Sequence, residues 1–249
     1  MNGRPRVTVV SPHFDDVPLS LGQSLTDGVL STCQVHVRVA FGRTNWTTWV
    51  HPTAERAPAV SWWRTFEEQA AAWTFGYRFT AARWPEALLR LGMDYSDRLL
   101  DPEVGLGDDP LIGELATWLG AVAAPTAGSP PDAVLVAAGL GGHVDHRLLA
   151  LAAASVAPGC DTPIGFYEDR PYAAYLDRSE VRRQLAPLEL DLERHDASGS
   201  IAARTQWRAK RCYPSQMSPY FEDAMRLDVA DGATEAVWFP RGGEPRWWG

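Results

Sequence analysis

The sequence has few cysteines, little basic charge and no long apolar run. Three cysteines in 249 residues are too few for a disulfide framework or a thiolate cage around a metal. A net charge of -8 gives no extended basic surface, which argues against binding to nucleic acid or to a membrane surface. No apolar run approaches the roughly 18 residues of a membrane-spanning helix. The first residues also lack the apolar core of a signal peptide, so we expect a cytoplasmic location.

The composition is that of a folded protein. Hydrophobic residues make up 45% of the chain and charged residues 22%, both ordinary values for globular domains. The length allows one large domain or two small ones. Because neither an internal repeat nor a linker-like stretch divides the sequence, we expect a single domain over residues 1–249.

Predicted strands and helices alternate along most of the chain. The β-branched run at residues 6–11 is typical of a buried parallel strand, and a helical pattern at 16–26 and a strand at 33–41 follow it. This order requires crossover connections, so it predicts an α/β fold with a mostly parallel sheet and helices on both faces. The further predicted elements are helices at 61–75, 110–123, 145–156, 179–184, 200–212 and 219–225, and strands at 77–82, 133–138, 164–167 and 236–239.

Two long stretches, residues 42–57 and 88–107, lack a helical or strand period. The first begins at the C-terminal end of a predicted strand, which is where ligands bind in open α/β sheets. It carries Trp46, whose ring can form a platform for a sugar or an acyl group, although most tryptophans are core or anchor residues. We expect these loops to form the walls of a pocket for a small-molecule substrate.

Two short segments bring metal-binding side chains directly after predicted strands. His13-Phe14-Asp15-Asp16 follows the first strand, and His143-Val144-Asp145-His146 follows the strand at 133–138 through a glycine-rich turn. Either segment alone could simply cap the next helix, because aspartate accepts hydrogen bonds from the free N–H groups of a first turn. Two such segments at neighbouring strand ends favour a metal site instead.

The residue types in these segments favour zinc. Imidazole nitrogen and carboxylate oxygen suit Zn²⁺, and catalytic zinc sites use three protein ligands with a position left for water. Magnesium would need more oxygen ligands, whereas Fe²⁺ accepts a similar set of histidines and carboxylates. The sequence therefore predicts a site for zinc or a related divalent transition metal.

Both segments resemble the signatures of a known family. The run Pro12-His13-Phe14-Asp15-Asp16 is similar to the Pro-His-Pro-Asp-Asp signature of the PIG-L/LmbE-like zinc N-deacetylases, and His143-Val144-Asp145-His146 is similar to their His-x-Asp-His signature. Phe14 and Val17 depart from this pattern, since the family usually has proline and an acidic residue there. Softer similarities lie at residues 64–71, 167–172 and 210–216.

The resemblance implies a Rossmann-like fold and an enzyme that hydrolyses an N-acyl group. The usual substrate would be an N-acetyl amino sugar, a glycoconjugate or a sugar-bearing natural-product intermediate, attacked by zinc-bound water with the help of an aspartate. Carried over by position, the roles are His13, Asp16 and His146 as metal ligands, Asp15 as general base, and His143 as the group that stabilises the oxyanion or protonates the leaving amine.

Two further side chains, Arg64 and Asp145, have two interpretations each. Arg64 and Glu68 are four residues apart on a predicted helix, which favours a surface ion pair, whereas the family similarity suggests that Arg64 binds substrate in the pocket. Asp145 either caps a helix or hydrogen-bonds the outer nitrogen of a ligand histidine. For Phe14 we expect a single role, in which it narrows the pocket and contacts substrate.

Two other functions stay open at this point. The same metal site could serve an amidase or esterase that cleaves a non-sugar natural-product conjugate. The chain could also be a degenerate member of the family that binds a glycan or a partner protein without hydrolysis, since a fold does not guarantee an activity.

Overall fold

The computed structural model describes residues 3–92, 98–101, 104–124 and 130–248. Within these residues, strands from both halves of the chain form one seven-stranded sheet in the order β3-β2-β1-β4-β5-β7-β6. The strands are β1 (Arg6–Ser11), β2 (Gln34–Val39), β3 (Arg78–Ala81), β4 (Ala133–Ala137), β5 (Ile164–Tyr167), β6 (Leu192–Ser200) and β7 (Thr234–Pro240).

The first five strands are parallel, and β7 pairs antiparallel with both β5 and β6. β1 lies between β2 and β4, with Val10 opposite both Arg38 and Val136. The chain runs outward from β1 through β2 to β3 and then returns to place β4 on the other side of β1. The direction of winding thus reverses between β1 and β4, and such a switch point opens a crevice at the C-terminal ends of the strands.

Helices cover both faces of the sheet, as the alternation in the sequence predicts. One core packs α1, α2 and α7 against side chains such as Val7 and Val9, and the other packs α4, α5 and α6 against side chains such as Val10 and Val136. The helices are α1 (Asp16–Asp27), α2 (Ala57–Phe75), α3 (Ala87–Leu91), α4 (Leu111–Ala123), α5 (Val144–Val156), α6 (Arg178–Leu185), α7 (Ala203–Cys212) and α8 (Pro219–Ala230). The α/β fold class is confirmed.

Helix α1 is interrupted near its middle, where the Glu235 carboxylate accepts hydrogen bonds from backbone N–H groups of the helix. Leu21 in α1 has non-helical angles, with φ at -131° and ψ at 15°. The N–H groups of Gln23 and Ser24 donate to the buried carboxylate of Glu235 on β7, at 2.7 and 2.6 Å. Glu235 therefore satisfies the donors of α1 as a side chain at a helix N-terminus would.

The sequence did not predict β6 or the short helix α3. β6 lies at the edge of the sheet and mixes charged residues, serine and glycine, so it lacks the apolar run of a buried strand. Parts of the predicted loop at 88–107 and of the loop after α4 lie outside the described residues. None of the helices in the described part of the chain combines the length and the apolar character needed to cross a bilayer.

Candidate active site

The first predicted segment forms a sharp turn between β1 and α1. The Ser11 hydroxyl donates to the carbonyl of His13 at 2.6 Å, and the His13 N–H donates to the carboxylate of Asp16 at 2.7 Å. Asp15, just before the helix, has φ at 100°, which is unusual for a residue other than glycine. The turn places the side chains of His13, Asp15 and Asp16 beside the C-terminal end of the central strand.

The second segment reaches the same place from β4. Gly139, Gly141 and Gly142 all have positive φ, and a Cβ on Gly141 would lie 2.3 Å from the Tyr172 side chain, so only glycine fits there. His143 then caps α5, because its Nδ1 accepts the N–H of Asp145 at 3.2 Å. His146 follows in the first turn of the helix.

Ligand-type atoms from three side chains converge between the two segments. His13 Nδ1 lies 3.3 Å from His146 Nε2 and 3.5 Å from an oxygen of Asp16, and His146 Nε2 lies 3.5 Å from the other Asp16 oxygen. Ligands at about 2.0–2.1 Å from a tetrahedral zinc ion are about 3.3–3.4 Å from each other. The spacing of these atoms therefore fits a zinc-sized cation held by three side chains.

Carboxylates behind the two histidines fix their orientation. Asp145 accepts from His13 Nε2 at 2.9 Å and Asp169 accepts from His146 Nδ1 at 2.6 Å. With a proton on each of these outer nitrogens, the inner nitrogens present lone pairs to each other and to Asp16. Lone pairs and a carboxylate at this distance need a positive charge between them, which a cation supplies.

The electrostatics of the set also favour positive charge. Burial lowers the pKa of His13, but hydrogen bonds and charge from Asp145 and Asp16 outweigh it and raise this pKa to about 10. Burial raises the pKa of Asp16, but His146 and His13 outweigh it and lower this pKa to about 2. The protein thus retains a proton on this set well above neutral pH, in the place where a metal cation would compete for it.

His143 lies beside His13 and His146, but its ring is neutral. One nitrogen from each of His13, His143 and His146 lies within 4.8 Å of the others. Burial, together with the charges of His13 and His146, lowers the pKa of His143 well below its usual value. Because its Nδ1 accepts a hydrogen bond, the neutral ring carries its proton on Nε2.

Asp15 pairs with Arg64 and has a pKa near neutrality. Its Oδ1 lies 3.2 Å from the Arg64 guanidinium, and both side chains are buried. Burial raises the pKa of Asp15 to about 7, against the opposing effect of the Arg64 charge. A carboxyl group with such a pKa can both accept and return a proton near neutral pH.

The interpretation of Arg64 and Glu68 as a surface ion pair is wrong. Arg64 is only 3% exposed and contacts Asp15 and Glu67, while Glu68 is 1% exposed and hydrogen-bonds Tyr77 and Tyr213. The spacing itself indicates that Arg64 and Glu68 face the interior. Positions 64, 68, 71 and 75 share one helix face, and the last two are apolar. Charges on that face indicate a buried polar network.

A cavity of about 250 Å³ opens above these side chains. Phe14, Trp46 and Arg64, the three predicted substrate-binding residues, all line it, as do His13, Asp15, Asp16 and His143. Most of the remaining wall is apolar. It is formed by side chains that include Phe41, Leu88, Leu99, Tyr172, Tyr220 and Phe221.

The sequence prediction missed several side chains of the site. Asp169, which orients His146, belongs to one of the softer family similarities and lies two residues after the end of β5, at the same edge that carries the two segments. Arg90 contacts the buried Asp145 at 2.7 Å. Tyr220 and Phe221 come from α8, whose sequence offers no sign that it reaches the cavity.

The chain is related in sequence to a deacetylase. It is 33% identical over 184 residues to the 2'-N-acetylparomamine deacetylase of Streptomyces fradiae, a match that covers 73% of this chain and 63% of that protein. The chain thus spans less than two thirds of this curated relative. No family model matches the chain.

Solved deacetylase structures share the fold. The zinc-inhibited form of teicoplanin deacetylase Orf2 has a TM-score of 0.65 at 22% identity, over 94% of this chain and 97% of that one. The complex of a deacetylase with teicoplanin has a TM-score of 0.67 at 21% identity with the same coverage. The N,N'-diacetylchitobiose deacetylase of Pyrococcus horikoshii has a TM-score of 0.53 at 14% identity, over 96% and 85% of the two chains.

Proposed function

We propose that the protein is a metal-dependent hydrolase that removes an N-acyl group, in the usual case acetyl, from an amino sugar or a sugar-bearing natural-product intermediate. The observation that carries this proposal is the convergence of His13 Nδ1, Asp16 and His146 Nε2 at 3.3–3.5 Å, with Asp15 beside them at the cavity wall. The curated relative, by its name a deacetylase of 2'-N-acetylparomamine, supports the same reaction class.

His13, Asp16 and His146 would hold the metal, with zinc favoured by the nitrogen and oxygen donors and Fe²⁺ compatible with them. A bound divalent cation would polarise the amide carbonyl and make water a better nucleophile near neutral pH. Asp145 and Asp169 keep the two histidines in the tautomer that this role requires.

Asp15 would accept the proton of the attacking water. Its carboxylate lies against the cavity, and the contact of Oδ1 with Arg64 fixes its orientation. Its pKa of about 7 allows it to take a proton in the first half of the reaction and to give it up later. The Arg64 charge also keeps a fraction of the buried carboxyl ionised.

His143 would act on the other side of the scissile bond. As a neutral ring with a proton on Nε2, it can donate a hydrogen bond to the oxygen on which negative charge develops, or a proton to the leaving amine. Its ring centre lies 4.8 Å from that of His13, so it reaches the same part of the cavity.

A second candidate keeps the site and changes the substrate to an amide or ester of a non-sugar conjugate. The apolar wall formed by residues such as Leu88, Leu99 and Phe221 favours it, because these side chains offer contact area and no hydrogen bonds.

The decisive experiment combines metal content with a substrate panel. Purified protein is loaded with zinc or Fe²⁺, freed of excess metal and analysed by mass spectrometry, beside a His13→Ala, His146→Ala double variant and a His195→Ala control on β6. We expect about one metal per chain in wild type and control and almost none in the double variant. Release of acid is then measured from N-acetylated amino sugars, acylated peptides and esters.

The outcomes separate the candidates. Turnover confined to N-acetylated sugars supports the leading proposal, and turnover confined to peptides or esters supports the second. Failure of wild type to bind either metal would overturn both. Metal binding with no turnover on the whole panel would favour a binding protein that has lost hydrolysis.

A further inference from the structure

The backbone at Asp15 is held in a conformation that its own sequence does not favour. Asp15 has φ at 100° and ψ at -34°, and it is not a glycine. Such a conformation persists only where the surrounding structure imposes it. The carboxylate direction of Asp15 depends on this backbone, because φ sets where the Cβ points.

Two side chains from one turn of α2 hold the peptide unit between Phe14 and Asp15. Arg64 donates from its guanidinium to the carbonyl oxygen of Phe14. Glu68, four residues later, accepts the N–H of Asp15 on its Oε2 at 3.4 Å. The peptide plane is therefore fixed at its oxygen and at its hydrogen, which restricts the rotation that would relax φ of Asp15.

Two hydrogen bonds hold the Glu68 carboxylate in place. The Tyr213 hydroxyl donates to its Oε2 at 2.6 Å, and the Tyr77 hydroxyl donates to its Oε1 at 2.9 Å. All three side chains are buried. With both oxygens engaged, the carboxylate cannot turn away from the N–H of Asp15 without breaking a short hydrogen bond.

Glu68 does not line the cavity, so it has no direct route to a substrate. Arg64 does line it and contacts the Asp15 carboxylate as well as the backbone. Glu68 thus differs from Arg64 in acting only through the backbone of the proposed base.

We infer that Glu68 is a positioning residue, which imposes the left-handed backbone of Asp15 and thereby aims its carboxylate at the reacting water. Only the expected effect of Glu68 on catalysis rests on the proposed function. The backbone consequence can be observed without any substrate.

The test compares Glu68→Ala, which removes both acceptors, with Glu68→Gln, which retains one. In crystal structures we expect φ of Asp15 to become negative in Glu68→Ala and to stay positive in Glu68→Gln. We expect kcat to fall about 10- to 100-fold in Glu68→Ala with KM within about threefold, since small misplacements of a reacting group are costly. Glu68→Gln should recover most of that loss.

Glu235→Gln is the matched control, because Glu235 is also a buried carboxylate that accepts backbone N–H groups of α1, in the second half of the helix and away from the cavity. It should change thermal stability but not kcat. Metal content should stay at the wild-type value in all these variants. If Glu68→Ala fails to fold, Tyr213→Phe is tested instead. It removes the hydrogen bond from the Tyr213 hydroxyl to Glu68 and should lower kcat by a few-fold at constant KM.

An Asp15 φ that stays positive in Glu68→Ala, or an unchanged kcat in a folded variant, would overturn the inference. A joint loss of metal and activity would also overturn it, since that pattern belongs to general support of the site. Absence of turnover in wild type would instead count against the proposed function, and the φ of Asp15 would still decide the role of Glu68.

Discussion

The parallel strands β1–β5 and the antiparallel pair β6–β7 contribute to the cavity in different ways. The parallel part provides the charged atoms, since the segments after β1, β4 and β5 carry His13, His146 and Asp169. The chain between β6 and β7 provides no such group in the described cavity lining, and it adds apolar wall through Tyr220 and Phe221 of α8, beside apolar side chains such as Phe41 and Leu88 from the parallel part.

The physical cause is the direction of the strands. Parallel strands bring all their C-terminal ends to one edge, so polar residues placed after several strands meet without long loops. Antiparallel strands alternate their ends between the two edges and do not gather side chains in this way. The comparison predicts that substitutions of the polar side chains after the parallel strands and of the α8 side chains in the wall affect different kinetic constants.

The largest effect is expected at Asp15. Asp15→Asn keeps the size of the side chain but cannot accept the proton from water, so kcat should fall about 10²- to 10⁴-fold with metal content unchanged. Steady-state kinetics on the best substrate of the panel and metal analysis of the same sample check it. Normal turnover by the variant would show that Asp15 is not the general base.

Asp169, at the end of the last parallel strand, should affect metal affinity more than kcat. Asp169→Asn weakens the support of His146 Nδ1, and loss of such outer hydrogen bonds costs about 10- to 100-fold in metal affinity. Competition with a chelator measures the dissociation constant, and kcat is taken at saturating metal. An equal affinity in the variant and wild type would show that the histidine needs no such support.

Phe221, on the antiparallel side, should affect KM. Phe221→Ala removes apolar contact from the cavity wall, and loss of part of a buried aromatic contact is worth roughly a 10-fold increase in KM. The control is Trp207→Ala, an exposed aromatic residue on α7 that does not line the cavity. A drop in kcat alone would contradict the division between the two parts.

Glu235, on β7, should affect only the dependence of stability on pH. Burial raises the pKa of Glu235 from 4.5 to about 8 in the folded protein, against two backbone hydrogen bonds that lower it. The unfolded chain therefore releases this proton first, so the contribution of Glu235 to stability is present below pH 4.5 and is lost as pH rises towards 8.

Denaturant unfolding of wild type and Glu235→Gln at both ends of this pH range measures the effect. The variant cannot titrate, so its stability relative to wild type should increase with pH. A relative stability that is constant or that falls with pH would show that the carboxylate is already ionised in the folded protein.

The sequence predicted the parallel part and its polar segments better than the rest. Buried strands are short apolar runs, and polar residues directly after them can be recognised without a structure, which is how the segments at 13–16 and 143–146 were found. The choice of His13, Asp16 and His146 within these segments came from the family resemblance. β6 was missed because one edge strand with mixed polar residues has no distinctive pattern. The helix face of Arg64 and Glu68 could be recognised from its apolar residues, but Tyr213, which contacts both side chains, is about 145 residues away in the chain and is invisible to local periodicity.

The position of β4 beside β1 has a consequence for how the protein is made. The three side chains that converge belong to residues 13, 16 and 146, and their spacing depends on the pairing of Val10 with Val136. A growing chain that has reached only β3 contains His13 and Asp16 but not His146. If these side chains hold a metal as proposed, its capture by all three must wait until more than half of the chain has been synthesised and β4 has docked, so bound metal would report that β1 and β4 have paired.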